Sequence, residues 1–217
     1  MATALILHID TSGPASTVML AKAGLPVAVQ RNEAEREHAG TINAMITSVM
    51  KEGGAEMQEL SAIAVCSGPG SYTGLRIGMG TAKGLCYALD KPLILQNRLE
   101  LLKGVPQNIM MAILPARAGE YFLAIYNKKC EELLQPCHAL TIEVINYIWA
   151  HKVAYLCGEV GEDVVEQLEE VGIIQSTVID VRFWADSSLS IYTQQLFSDA
   201  ARAEPLYLKS VFIHKKS

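Results

Sequence analysis

The sequence predicts an α/β fold in which mixed sheets are joined by helical crossovers. Three observations lead there. Ala62-Ile63-Ala64-Val65-Cys66 is a short continuous apolar run of the kind a strand buried on both faces requires. It leads into a glycine-rich turn and a helix at 77–89 that is unusually rich in small residues. From about residue 107, strands and then helices follow one another again, as they did in the first hundred residues.

The elements follow in order. Residues 5–9, 16–20 and 26–30 are strand candidates, with Gly13-Pro14 and Ala23-Gly24 supplying the turns of an antiparallel meander. From 37 to 51, Ile42, Met45, Ile46, Val49 and Met50 recur at three- and four-residue spacing, which predicts an amphipathic helix ended by Gly53-Gly54. The strand at 62–66, the helix at 77–89 and a short strand at 92–95 complete a β-β-β-α-β-α-β unit. The second unit has strands at 109–114 and 121–126, a helix at 141–150, a strand at 153–156 and a helix at 160–171. A strand-like stretch at 173–180 follows, and a last helix at 187–201 is expected to cross back to the first lobe.

Composition narrows the class. Half of the 217 residues are hydrophobic, enough for a substantial core, and a net charge of -5 argues against a broad phosphate-binding surface. No run of about 18 apolar residues marks a membrane span, and the N-terminal apolar stretch lacks the basic flank of a secretory signal. The five cysteines, odd in number and several in apolar stretches, read as reduced thiols. A cytoplasmic protein without membrane attachment is the expectation.

The motif Gly68-Pro69-Gly70-Ser71-Tyr72-Thr73-Gly74-Leu75-Arg76 is the most informative segment. Its glycines allow close approach of a phosphate, a neighbouring strand or another protein. It lacks the Lys-Ser/Thr ending of a Walker loop, which favours a tight turn at Gly68-Pro69-Gly70, a helix cap from Ser71 or Thr73, and Arg76 tying the loop down. On the following helix, Gly80, Gly84 and Ala88 form a smooth row, and apolar or small residues cover nearly every side. Each helical glycine costs about 1 kcal/mol relative to alanine, so close packing must offset it. That packing is either with this lobe's own sheet and helices or with a partner.

Together with Ile9-Asp10-Thr11-Ser12, Arg36-Glu37-His38, Ala82-Lys83-Gly84-Leu85, Ala116-Arg117, Glu120-Tyr121 and Pro205-Leu206-Tyr207-Leu208-Lys209, the glycine motif resembles the TsaB (YeaZ) family. Members of that family take part in bacterial tRNA threonylcarbamoyladenosine biosynthesis beside the catalytic paralogue TsaD. One departure is Pro115, where the family usually has aspartate. The resemblance implies an actin-like fold of two lobes, related to sugar kinases and heat-shock ATPases, with lobes at 1–104 and 105–217. It implies a non-catalytic subunit that docks TsaD through helices of its first lobe, works with the ATPase TsaE, meets tRNA through the complex and can pair with itself. The docking candidates are His38, Ile42, Met45, Val49, Tyr72, Ile77, Gly80, Gly84 and Tyr87.

Other chemistries find less support in the residues. In kinase-like folds an Asp-x-Gly turn after the first strand holds hydrated metal and phosphate. Here Asp10 is followed by Thr11 and Ser12, so that Ser12 crowds the approach and Pro14 removes a donor. The second turn, Cys157-Gly158-Glu159-Val160-Gly161, places carboxylates near any phosphate. No cofactor is expected except ATP or ADP at an interface shared with a partner. No metal is expected either, since the five histidines lack a pair one helical turn apart, and Cys130, Cys137 and His138 form only a loose group. A free-standing small-molecule kinase or ATPase is the alternative reading, and a protease-like protein a further one.

Overall fold

The computed structural model describes residues 3–33, 38–104, 106–168, 171–176 and 178–209. Two five-stranded mixed sheets organise it. In the first, β1 (Leu5–Asp10), β2 (Ser16–Lys22) and β3 (Leu25–Asn32) form an antiparallel meander. Helix α1 (His38–Glu52) crosses to β4 (Ala62–Gly68), parallel to β1. Helix α2 (Tyr72–Leu89) then leads to β5 (Leu93–Asn97), parallel to β4, giving the order β3-β2-β1-β4-β5. β1 and β4 are buried along their whole length, as the apolar run of β4 requires, and β1 carries His8 and Asp10 inside with its apolar residues.

The second sheet repeats this plan. β6 (Met110–Arg117), β7 (Glu120–Tyr126) and β8 (Glu132–Leu140) form the meander. After α4 (Thr141–His151) comes β9 (Tyr155–Gly158), parallel to β6, and after α5 (Glu162–Val165) comes β10 (Gly172–Gln175), parallel to β9. The order β8-β7-β6-β9-β10 therefore matches the first sheet strand for strand. The recurrence of meander and helices in the sequence is thus a duplicated topology.

Several boundaries differ from expectation. β8 does not read as a strand because Pro136 and Gln135 interrupt it; it is an edge strand whose pairing with β7 shifts between Leu134 and Cys137, where a proline is tolerated. The helix expected at 160–171 has only the one turn of α5, and the strand expected at 173–180 shortens to β10. The last helix, α6, is Val181–Thr193 rather than 187–201, because Asp180 caps it by accepting from the backbone N–H groups of Arg182 and Phe183. Between β5 and β6 lies a short helix absent from the sequence reading, α3 (Arg98–Lys103), whose N-cap Asn97 accepts from Leu99 N at 2.9 Å.

These helices place the cores. On one face of the first sheet, α1 and α2 bury Ile42, Met45, Val49, Met79 and Ala82 against Leu7, Ile9 and Val65. On the other face α6 brings Trp184 and Ala185 against Met19 and Cys66. In the second sheet, α4 and α5 cover one face, while Leu99 and Leu102 of α3 pack on the other with Leu208.

The buried His8 on β1 has a pH consequence. Its Nδ1 lies 3.1 Å from Ile6 O, its Nε2 has no close hydrogen-bond partner among the described residues, and its ring meets Trp184 edge-on at 5.0 Å. Burial drives its pKa down to about 3, only partly offset by the backbone groups of Met19 and Ile6. Below the ordinary histidine value of 6.5 the unfolded chain takes up a proton that the native state refuses. This contribution to stability is whole above that value. It falls by about 1.4 kcal/mol per pH unit as the pH drops toward the folded value. Urea unfolding across this window should show that slope, and His8→Leu should remove it.

Candidate functional site

The turn after β1 sits at the head of the first sheet. Asp10 and Ser12 do come together there: the Asp10 carboxylate accepts from Ser12 N at 2.8 Å and Ser12 Oγ at 2.5 Å. A third residue that the sequence did not reveal completes the group. Arg98, the first residue of α3, places a guanidinium nitrogen 3.3 Å from Asp10 Oδ2 and 2.6 Å from Ser12 Oγ. Both charged side chains are buried. A Cβ on Gly13 would overlap this guanidinium, and the cavity beside it, bordered by Pro14 and Arg31, holds about 20 Å³. That is room for one water, not for a phosphate. The neighbouring Cys66 thiol is pushed up to about 12, chiefly by burial and then by Asp10, which leaves it unreactive.

The second candidate turn, after β9, is also occupied. Gly158 has φ +138° and its Cα lies against the Ile113 carbonyl, where no side chain would fit. Gly161 faces Tyr121, whose hydroxyl donates to Asp163 Oδ1 at 2.5 Å, and Thr141 Oγ1 donates to the other carboxylate oxygen. Those two hydroxyls, Thr141 first, hold the Asp163 carboxyl below the usual carboxylate range. His138 faces Glu120 at 2.9 Å rather than the cysteines. Among the described residues, no three His, Cys, Asp or Glu side chains converge as metal ligands would.

The glycine motif serves its own lobe. Ser71 is the N-cap of α2, accepting from Gly74 N at 3.2 Å, so the cap falls to Ser71 rather than Thr73. Ser71 N donates to Ser12 O at 2.8 Å, and Thr11 Oγ1 donates to Gly74 O at 2.6 Å. A Cβ on Gly70 would strike Ser12 O, one on Gly74 would strike Thr11 O, and one on Gly78 would strike Thr11 Oγ1. These glycines let α2 lie directly on the turn after β1. Gly68, with φ +116°, runs beside Leu206, whose N–H donates to Ser67 O at 2.8 Å. Arg76 lies over the ring of Tyr72, itself part of the motif, at 4.2 Å and donates from Nε to Tyr207 Oη at 3.3 Å.

Farther along α2 the glycines behave differently. Around Gly80 and Gly84 nothing lies within 4 Å of an added Cβ, and Tyr87 is 93% exposed. The expectation that α2 is buried on nearly every side is therefore corrected. Its outer face, with Gly80, Gly84, Tyr87 and Ala88, is open, and beside it α1 exposes Gly40, Asn43, Ala44 and Thr47. Ile42, Met45 and Val49, expected at the docking surface, instead point into the core, because the apolar stripe of α1 is the face that covers the sheet. Ile77 is partly buried against the same core, and Tyr72 stacks on Tyr207 at 5.1 Å. His38 opens α1; Arg36 and Glu37 lie outside the described residues. Pro115 is exposed on β6, opposite Tyr121 and next to an irregularity in the pairing.

Two five-stranded mixed sheets with the same strand order make a duplicated α/β fold, the architecture that the resemblance implied. Within that architecture the match to known sequences is specific. Residues 28–166, more than half of the chain, match the family model described as TsaD, tRNA N6-adenosine threonylcarbamoyltransferase, and the chain belongs to this family. The resemblance to TsaB (YeaZ) also holds. The tRNA threonylcarbamoyladenosine biosynthesis protein TsaB of Bacillus subtilis is 32% identical over 127 residues, 57% of this chain and 56% of that protein. TsaB of Escherichia coli is 32% identical over 128 residues, 57% of this chain and 55% of that protein. The matching region thus spans about half the length of these curated relatives. A Pseudomonas aeruginosa crystal structure, titled as an uncharacterized protein with similarity to peptidase YEAZ, shares the fold with a TM-score of 0.80. It covers 95% of this chain and 100% of its own at 24% identity. No described helix is long and apolar enough to cross a membrane.

Proposed function

We propose that this chain is a non-catalytic subunit of the machinery that forms threonylcarbamoyladenosine on tRNA, and that it docks a TsaD protein on the outer face of α1 and α2. The observation that carries the docking is the open row of Gly80 and Gly84 beside Tyr87. Two helical glycines cost about 2 kcal/mol relative to alanine, and among the described residues nothing lies within 4 Å of an added Cβ at either to offset them. A smooth face with one projecting aromatic suits a close-packed helix of a partner. The names of the TsaB relatives and the match to the TsaD family supply the pathway.

On this reading TsaE joins the assembly, tRNA is met through the complex, and a second copy can occupy the same face when TsaD is absent. Arg98 takes the place of bound cation and phosphate at the first turn, so ATP or ADP would bind only at an interface shared with a partner. The protein would act in the cytoplasm. Purified chain and TsaD should co-elute in size-exclusion chromatography. Gly80→Leu with Gly84→Leu should abolish co-elution while leaving the fold intact and the melting temperature no lower, and unchanged co-elution would discard the docking face. Calorimetry with ATP should show no micromolar binding to the isolated chain; such binding would favour the kinase reading instead.

A further inference from the structure

Residues 198–209 form a strap that begins on the first sheet and ends on the second. Ser198 N donates to Leu93 O at 2.9 Å, at the start of β5. Lys83 on α2 donates to the carbonyls of Ala201 at 3.1 Å and Ala203 at 3.0 Å, and Ala203 is buried in the core of the first sheet. Leu206 N donates to Ser67 O at 2.8 Å, and Tyr207 meets Arg76 and the Tyr72 ring. Up to Tyr207 these contacts all belong to the first half of the molecule. The next two residues change sides. Leu208 packs on the core that contains Met110, Leu114 and Tyr126. Lys209 pairs with Glu120 on β7, and His138 on β8 stands 2.9 Å from the same carboxylate.

Beside this crossing the two halves do not close on each other. A cavity of about 290 Å³ lies there, bordered by Gly70 and Tyr72 on one side, Arg117 and Phe122 on the other, and residues 206–209 of the strap. That is far more room than one water needs, so side chains of the two halves are not interlocked at this rim. The joint at α3 is of another kind. Its Leu101 is buried with Cys66 and Trp184 on the first sheet, while its Leu99 and Leu102 are buried with Met110 and Tyr126 on the second. A helix shared by two cores resists separation, because parting it would expose apolar surface on both sides. The link at Glu120 is a partly exposed ion pair, with side chains 20% and 23% exposed, and such pairs contribute little and are screened by salt. Opening it strands no charge: Lys209 passes into water and Glu120 keeps His138 as its neighbour.

We infer that the Lys209–Glu120 pair is a latch: the two halves pivot about α3, and the last link of the strap holds them at the angle of this structure. The pivot is buried and apolar, the latch ionic and open to water, so one endures while the other opens and closes. Pivoting alters how the second sheet stands relative to the outer face of α1 and α2, and so what a molecule seated on that face meets beside it. The latch does not depend on which molecule that is.

The test measures the angle as a distance, by pulsed electron paramagnetic resonance on the full chain. Spin labels are placed at Lys51→Cys, at the end of α1, and at Lys128→Cys, after β7, in a Cys130→Ser, Cys137→Ser background; the remaining cysteines are buried. At about 0.1 M salt the intact latch should give one dominant distance. Glu120→Gln and Lys209→Met should each raise the share of a second distance about 2- to 5-fold, the worth of a partly exposed ion pair. About 1 M salt should do the same to the intact latch and change nothing further in Lys209→Met. Arg202→Gln, which removes an ion pair with Asp199 lying wholly within the strap, serves as control and should leave the distances unchanged. Circular-dichroism melts of the latch variants should stay near wild type. One distance distribution shared by wild type, both latch variants and high salt would overturn the proposal. So would an equal shift in Arg202→Gln, or unfolding of the latch variants in place of a shifted distance.

Discussion

Arg98→Ala is expected to lower the unfolding free energy by about 3–5 kcal/mol, the cost of stranding one member of a buried ion pair. The Asp10 carboxylate would lose the guanidinium at 3.3 Å, and Ser12 Oγ would lose its neighbour at 2.6 Å. Asp10→Ala should cost a comparable amount for the mirror-image reason. The double variant Asp10→Leu with Arg98→Met should lose clearly less than the sum, because apolar groups of similar bulk need no desolvated charge to be balanced. Urea unfolding followed by the fluorescence of the buried Trp184 reads all three. A loss below about 1 kcal/mol for Arg98→Ala would mean that the guanidinium does not hold the turn.

The glycines of α2 should divide into two groups of opposite sign. At Gly74 an added methyl would strike Thr11 O, and at Gly78 Thr11 Oγ1, so alanine there should destabilise by about 1–3 kcal/mol as the helix is pushed off the turn. At Gly80 and Gly84 the same methyl meets nothing within 4 Å, and alanine should stabilise the isolated chain by about 1 kcal/mol each through helix propensity. Thermal melts of the four single variants test this. Destabilisation by Gly80→Ala or Gly84→Ala would mean that these positions are packed in the free chain, and the argument for a partner there would fall. The pairing of higher stability with weaker TsaD binding in Gly84→Leu would instead show a surface kept smooth for docking.

Much of the fold is legible in the chain because β1 and β4 are buried on both faces and so are mostly apolar, while α1 shows a clear three- and four-residue stripe. The elements that escape are those with weak local signals. β8 holds a proline on an edge, α3 has only six residues, and α6 starts at a cap followed by a mixed polar surface. In the candidate site, Asp10 and Ser12 are visible through their position after a strand, whereas Arg98 lies 88 residues away from Asp10 in sequence. Its only local mark is a charge following the apolar β5, and nothing nearby tells which carboxylate it meets.

The same limit governs the docking residues. Periodicity identifies a stripe but not whether that stripe meets the sheet or a partner, so Ile42, Met45 and Val49 read equally well as surface and as core. By itself, the sequence determined the coarse recurrence of strands then helices, the glycine motif that caps α2, and the family resemblance. All of these depend on local spacing and residue type. Only the tertiary structure decided that Arg98 closes the first turn and that Gly70, Gly74 and Gly78 face backbone while Gly80 and Gly84 face solvent. It alone brought residues 203–209 beside Tyr72 and Arg76. Each of these depends on atoms distant in sequence being brought within a few ångströms, and such contacts leave no periodic trace along the chain.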